Sequence, residues 1–266
     1  MLIILFMGFV VGAFGAMLGI GGGILLIPLL TGFGGVPIKS AIGTSILCVI
    51  ATSSAAGAVY VGRGLTHNRL AMVLEIATTA GALTGGVTAV LMRPSLLTVF
   101  FGLILVYVAF SMRKLPKEGR EVLSTGILDT TYVDPHTGKV VNYGIRNLPF
   151  GMGASFLAGN ISGLLGIGGG IIKVPIMSLV MGVPLRASIA TSNFMIGITA
   201  ATSAVIYYGR GYIDPTIAIP TALGVLVGAQ VGTRLGGRLR SQKLKQVFQL
   251  LLLLFAIQMF YQALRG

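Results

Sequence analysis

Tryptophan is absent from this chain of 266 residues, cysteine occurs once, histidine twice, and only six residues are acidic. Each scarcity removes a class of function. The single Cys48 permits no intrachain disulfide and no cysteine-built metal site. His67 and His136 stand far apart with no ligand spacing around either, so no metal is expected. No serine, threonine or cysteine forms a nucleophile-and-base pattern with a histidine, so the chain reads as a non-enzyme and implies no cofactor. Charged residues are 9% of the chain, where a soluble domain carries about 25%; an ordinary water-facing surface cannot be built from so few.

What is present is apolar. Hydrophobic residues make up 55% of the chain, and glycines number 40. Mean hydropathy is +0.94. Long apolar runs rich in glycine define an all-α polytopic membrane protein, in which small residues let helices approach closely. The formal charge of +13 comes from basic residues set singly or in short groups between apolar runs, without interleaved aromatics. That pattern places them at lipid headgroups, or along a lining that attracts anions, and excludes nucleic acid as a partner. The first nineteen residues, apolar from the start and without a basic leader, read as a span rather than a cleaved signal.

The chain is written twice. Gly19-Ile20-Gly21-Gly22-Gly23-Ile24-Leu25-Leu26-Ile27-Pro28 returns as Gly166-Ile167-Gly168-Gly169-Gly170-Ile171-Ile172-Lys173-Val174-Pro175, an offset of 147 residues (166 − 19). The register holds through Gly35-Val36-Pro37 onto Gly182-Val183-Pro184, and through Gly62-Arg63-Gly64 onto Gly209-Arg210-Gly211. A gapless register of this length is a duplication. The expected organisation is a first transmembrane repeat over 1–112, a polar connector over 113–146 and a second repeat over 147–266. Eight spans are expected, four per half, with the first and fifth broken at glycine and proline because 2–32 and 148–181 overshoot a bilayer as continuous helices. An even count sets the halves in the same orientation, whereas a re-entrant glycine segment would invert them. The connector holds four of the six acidic residues, and Thr131–Tyr143 alternates around a turn, predicting a small exposed β-hairpin.

The glycine runs do not fit nucleotide binding. Their G-x-G-G-G spacing differs from both phosphate-binding fingerprints, and no Lys-Ser or Lys-Thr follows. In a membrane, however, helices restarting after such a break present free N–H groups and the positive end of a dipole, which suits an anion. Gly21, Gly22, Gly23 and Ile24, with Gly168, Gly169, Gly170 and Ile171, are therefore candidate binding residues. The second span of each half adds hydroxyls: Ser45 and Thr52 share one helix face, as do Ser192 and Thr199, with Asn193 beside them. Lys173 stands where the first half has Leu26, and an ammonium inside a span is expensive unless paired or wet. Glu75, the one acidic residue placed within a span, is a candidate to carry a coupling proton or to pair with a basic neighbour.

The paired motifs Leu18–Gly23 through Pro28 and Leu165–Gly170 through Pro175, extended by Val183-Pro184 and Ala190–Phe194, resemble those of the TauE/SafE family of sulfite exporters, also called the toluene sulfonate uptake permease family. The resemblance covers nearly the whole chain. It implies a multi-pass permease of a bacterial or archaeal cell (inner) membrane, moving sulfite, sulfoacetate or another small sulfur-containing anion by alternating access. The bilayer and that anion are the partners implied, and a homo-oligomer is compatible with it. A passive anion channel, and a non-transporting assembly factor that recruits a partner through the connector, are the alternative readings.

Overall fold

The computed structural model describes residues 2–18, 21–111, 127–133, 138, 140–235 and 242–265. Gly19, Ile20, the turn residues Asp134 to Thr137 and Lys139, and the greater part of the connector lie outside them. The elements in order are α1 (Leu2–Leu18), α2 (Gly23–Gly32), α3 (Ile38–Gly62), α4 (Asn68–Leu91), α5 (Pro94–Ser111), β1 (Ile127–Val133), β2 (Val140–Ile145), α6 (Leu148–Leu165), α7 (Gly170–Leu179), α8 (Leu185–Gly209), α9 (Pro215–Leu235) and α10 (Gln242–Arg265).

Local chemistry sets the helix starts, and it sets them twice. Pro37 and Pro184 stand immediately before α3 and α8 with φ of −53° and −52°, the angle their rings impose. Pro94 and Pro215 open α5 and α9, where a missing N–H costs nothing. His67 caps α4 through Nδ1, which accepts from Leu70 N at 3.2 Å. Asp214, its counterpart at the repeat offset, accepts from Thr216 N at 2.9 Å ahead of α9.

The glycine runs reverse the chain rather than bend it. Gly22 is the left-handed cap of α2, with φ 70°, and a Cβ there would stand 3.3 Å from Val11 Cγ1. In a continuous helix these residues would lie about 16 Å apart. Gly22 lies beside both Val11 and Thr52, while Ala16 clusters with Ala55 and Ala56 beside Tyr60, so α1 runs parallel to α3. Gly23 meets Ser45, seven residues into α3, and α2 joins the start of α3 through a five-residue connection, Phe33 to Pro37; α2 therefore runs antiparallel to both. The second half does the same at Gly169, φ 69°, where a Cβ would stand 2.8 Å from Ala158 O.

Two glycine-lined seams join the halves. Along α4 and α6, Gly81 meets the backbone oxygen of Phe156 and Gly85 that of Asn160, while Gly159 and Gly163 meet those of Thr78 and Ala82. Along α1 and α9, Gly12 meets Val225 O, and Gly224, Gly228 and Gly232 meet the oxygens of Leu5, Phe9 and Ala13. Backbones this close leave no room for a Cβ, which is why the four-residue glycine spacing recurs. Rising numbers meet rising numbers, so α4 and α6 are parallel, as are α1 and α9. Across the centre Val49 lies near Ile196 while Ser53 donates to Asn193 O, so α3 and α8 are antiparallel. His67 N bonds to Thr191 and Glu75 meets Thr199, so α4 is parallel to α8 and runs against α3; α6 therefore runs against α1. The two halves point in opposite directions.

β1 and β2 pair antiparallel, with Thr130 opposite Tyr143 and Val133 opposite Val140. Where the alternation suggested an exposed hairpin, Tyr132, Tyr143 and Ile145 are buried in an apolar cluster with Leu70, Leu74, Met177 and Met181. His67 binds the hairpin too, its Nε2–H donating to Leu128 O at 3.0 Å. With Nδ1 already accepting from Leu70, the ring is held neutral, and burial lowers its pKa below the ordinary 6.5.

Outward faces are apolar: Leu83, Val87 and Leu91 on α4, Leu103, Tyr107 and Phe110 on α5, and Leu250, Leu254 and Ile257 on α10 are exposed. Lipid is the solvent that such faces require. Among the described residues, six helices are long and apolar enough to cross a membrane: α3, α4, α5, α6, α8 and α9. α1, α2, α7 and the apolar part of α10 are shorter. Each glycine segment turns back, so the first and fifth spans are not the single long, kinked crossings expected.

Candidate anion site at the centre of the helix bundle

The two glycine breaks meet. A Cβ on Gly21 would stand 3.3 Å from Ile196 Cγ2 and 3.4 Å from Val49 Cγ1; on Gly168 the same atoms would be 2.8 and 3.1 Å away. Val49 and Ile196 are themselves repeat counterparts, so the halves are related about this point. Gly21 and Gly168 have φ of 83° and 82°, a region closed to residues with a side chain, and Gly23 and Gly170 then start α2 and α7. Ile24 and Ile171 follow, both buried. The amino ends of two short helices thus converge where α3 and α8 cross.

The hydroxyl residues divide by role. Ser45 Oγ donates to Gly166 O at 2.8 Å, tying α3 to the opposite half's break. Thr52 donates to Cys48 O at 2.9 Å, within its own helix. Ser192 is buried on α8. Asn193 donates from Nδ2 to Ile189 O at 3.0 Å, while among the described residues its buried Oδ1 accepts no hydrogen bond. Thr199 differs from its counterpart Thr52: its Oγ1 lies 2.7 Å from Glu75 Oε1 and accepts from Lys173 Nζ at 3.2 Å.

Lys173, Glu75 and Thr199 form one buried cluster, with exposures of 2%, 6% and 0%. Lys173 Nζ lies 3.7 Å from Glu75 Oε2, and among the described residues that oxygen accepts no hydrogen bond. The Lys173 backbone N–H bonds to Gly169 O, which places the residue in the first turn of α7, and its side chain leans back over the helix's amino end. Ammonium and helix dipole therefore add positive potential at one place: a full charge, and about half a charge more from the dipole. One carboxylate offsets only part of that. The cluster is chemically suited to a second anion.

Sequence reasoning singled out Lys173 and Glu75 separately and missed that they touch. It also missed Thr79, whose Oγ1 sits 3.5 Å from Glu75 Oε1. A signal existed in the duplication: Lys173 replaces Leu26, and Glu75 corresponds to Ala222 (75 + 147). The two most unfavourable departures from the repeat thus fall at facing positions. Where this site has Lys173, Glu75 and Thr199, its pseudo-equivalent has Leu26, Ala222 and Thr52.

Apolar outer faces around a buried polar centre belong to a multi-pass membrane protein. The comparisons with known proteins agree and identify the family. Residues 4–259 match the family profile described as Sulfite exporter TauE/SafE, and the chain belongs to that family. It is similar to the probable membrane transporter protein YunE of Bacillus subtilis, at 25% identity over 98% of both chains. A probable membrane transporter protein of Xylella fastidiosa (strain 9a5c) is 28% identical over 96% of this chain and 92% of its own. The probable membrane transporter protein MJ0441 of Methanocaldococcus jannaschii is 26% identical over 84% of this chain and 82% of its own. No solved structure matches. The protein is a multi-pass integral membrane transporter whose relatives occur in bacteria and archaea.

Proposed function

We propose that the protein is a permease that carries sulfite or a small organosulfonate across the membrane by alternating access, with its binding site at the convergence of the glycine breaks. The observation that carries this reading is the buried ammonium of Lys173 at the amino end of α7, beside the hydroxyl of Thr199. A sulfonate or sulfite oxygen there gains charge-assisted donors that a neutral substrate cannot use. The N–H groups following Gly21-Gly22-Gly23 and Gly168-Gly169-Gly170, together with Ser45, Thr52, Ser192 and Asn193, complete the polar environment.

The opposed repeats support the transport cycle. We read residues 1–112 and 147–266 as the repeats, each with a short returning segment, α2 or α7, that makes its number of passes odd and so inverts the second half. Two inverted halves exchange roles when a central site switches from one side to the other. In this conformation Lys173 and Thr199 are closed off from solvent, so substrate access requires the halves to move.

Competition during uptake tests the substrate class. In proteoliposomes holding the purified full-length chain, uptake of labelled sulfite or sulfoacetate is expected to saturate and to be suppressed by the unlabelled compound more than by sulfate or chloride. Saturable uptake best suppressed by chloride, or no uptake of either compound by folded protein, contradicts the reading.

A further inference from the structure

Glu75 occupies the place an incoming anion needs. Its carboxylate lies 3.7 Å from the Lys173 ammonium and shares the Thr199 hydroxyl with it, so the site already contains one tethered anion. Two anions packed against one ammonium in a water-poor interior repel strongly, and neutralising one by a proton is the cheapest relief. We infer that Glu75 is a built-in counter-ion that must take up a proton when the substrate anion binds, so that each anion is carried together with one proton at a single site per chain. This rests on the anion-permease reading above and adds its coupling.

The surroundings favour this assignment over a merely structural pair. Glu75 Oε2 accepts no hydrogen bond among the described residues, so it is free to receive a proton without breaking one. Oε1 keeps its contact with Thr199 in either state. Among the described residues, Lys173 is the one charged group paired with Glu75. α6, which packs on α4, has no titratable residue among its own, and on α7 Lys173 is the only one. On α8, Arg186, Tyr207 and Tyr208 lie about 12 Å or more along the axis from Thr199. On α4 itself, Arg69 is nearest, about 9 Å along the axis toward the amino end, where His67 also lies. The hairpin's Tyr132 and Tyr143 share the apolar cluster of Leu70 and Leu74.

The duplication limits the count. The pseudo-equivalent position has Leu26 and Ala222, with neither an ammonium nor a proton carrier, so the second potential site is silent. The step balances simply: the anion replaces the Glu75 carboxylate as the partner of Lys173, and one solvent proton joins Oε2. For a singly charged anion such as hydrogensulfite the net charge added at the site is zero; a doubly charged one such as sulfoacetate adds one negative charge, which the amino end of α7 faces.

Calorimetry of sulfoacetate binding to the full-length chain in lipid nanodiscs, repeated in buffers of differing ionisation heat, reads the proton count directly. Wild type is expected to bind one sulfoacetate and take up one proton. Its affinity should fall about tenfold per pH unit once Glu75 is ionised in the free protein. Glu75→Gln, which keeps the shape and removes the charge, should bind with no proton uptake and without that pH slope. Wild-type binding without proton uptake, or unchanged uptake in Glu75→Gln, overturns the coupling while leaving the permease reading intact. Absence of sulfite and sulfoacetate binding by folded wild type defeats both.

Discussion

At the scale of single residues, Lys173 and Glu75 depend on each other. Leaving one member of a buried ion pair without its partner costs about 3–5 kcal/mol, whereas apolar residues of matching volume in place of both are tolerated or better. The molecule contains its own control, because Leu26 and Ala222 hold the equivalent position in the other half. Lys173→Leu alone should therefore lower thermal stability in detergent and abolish anion binding. Adding Glu75→Ala should restore most of the stability but none of the binding. A double variant as unstable as the two single losses added together would show that the pair is not a coupled unit. Lys173 was visible in sequence as an anomaly against Leu26. Its partner was not, since contact between α4 and α7 is a property of packing that periodicity does not encode.

At the scale of elements, the glycines of the α4–α6 and α1–α9 seams set how closely the repeats approach. A Cβ on Gly85 would lie 2.7 Å from the carbonyl carbon of Asn160, and the obstruction is backbone, which cannot swing aside. Gly85→Leu should destabilise the folded protein by about 3 kcal/mol or more, the upper range for overpacking. Gly153, which has nothing within 4 Å of a new Cβ, should tolerate alanine and gain slightly from its better helix propensity. Thermal unfolding of the two variants side by side checks the contrast; equal effects would mean that the seams are not close-packed. The glycine content made close packing readable in the sequence, but not which helices would meet. The direction of α2 was not readable, because ten apolar residues after a glycine run continue or reverse with the same hydrophobic pattern.

At the scale of the whole molecule, the 147-residue offset is written in the sequence, whereas the relation between the two halves depended on a parity. Four passes per half align the repeats, and a returning glycine segment opposes them. The contacts of Gly22 with Val11 and of Gly85 with Asn160 bring out the opposed arrangement. The hairpin shows a similar limit. Its alternation was readable, but the burial of Tyr143 at 2% exposure depends on where α4 and α8 lie beneath it. On the proposed reading the opposed halves act as a carrier, which would expose its site to one side at a time and therefore exchange substrate between them.

Counterflow tests that claim most directly. Proteoliposomes loaded with unlabelled sulfoacetate and diluted into a trace of labelled sulfoacetate should accumulate label transiently above its equilibrium level. Vesicles carrying the Lys173→Leu, Glu75→Ala double variant should not. Label entry that rises linearly with concentration and ignores the internal anion would contradict a carrier and indicate an open pathway.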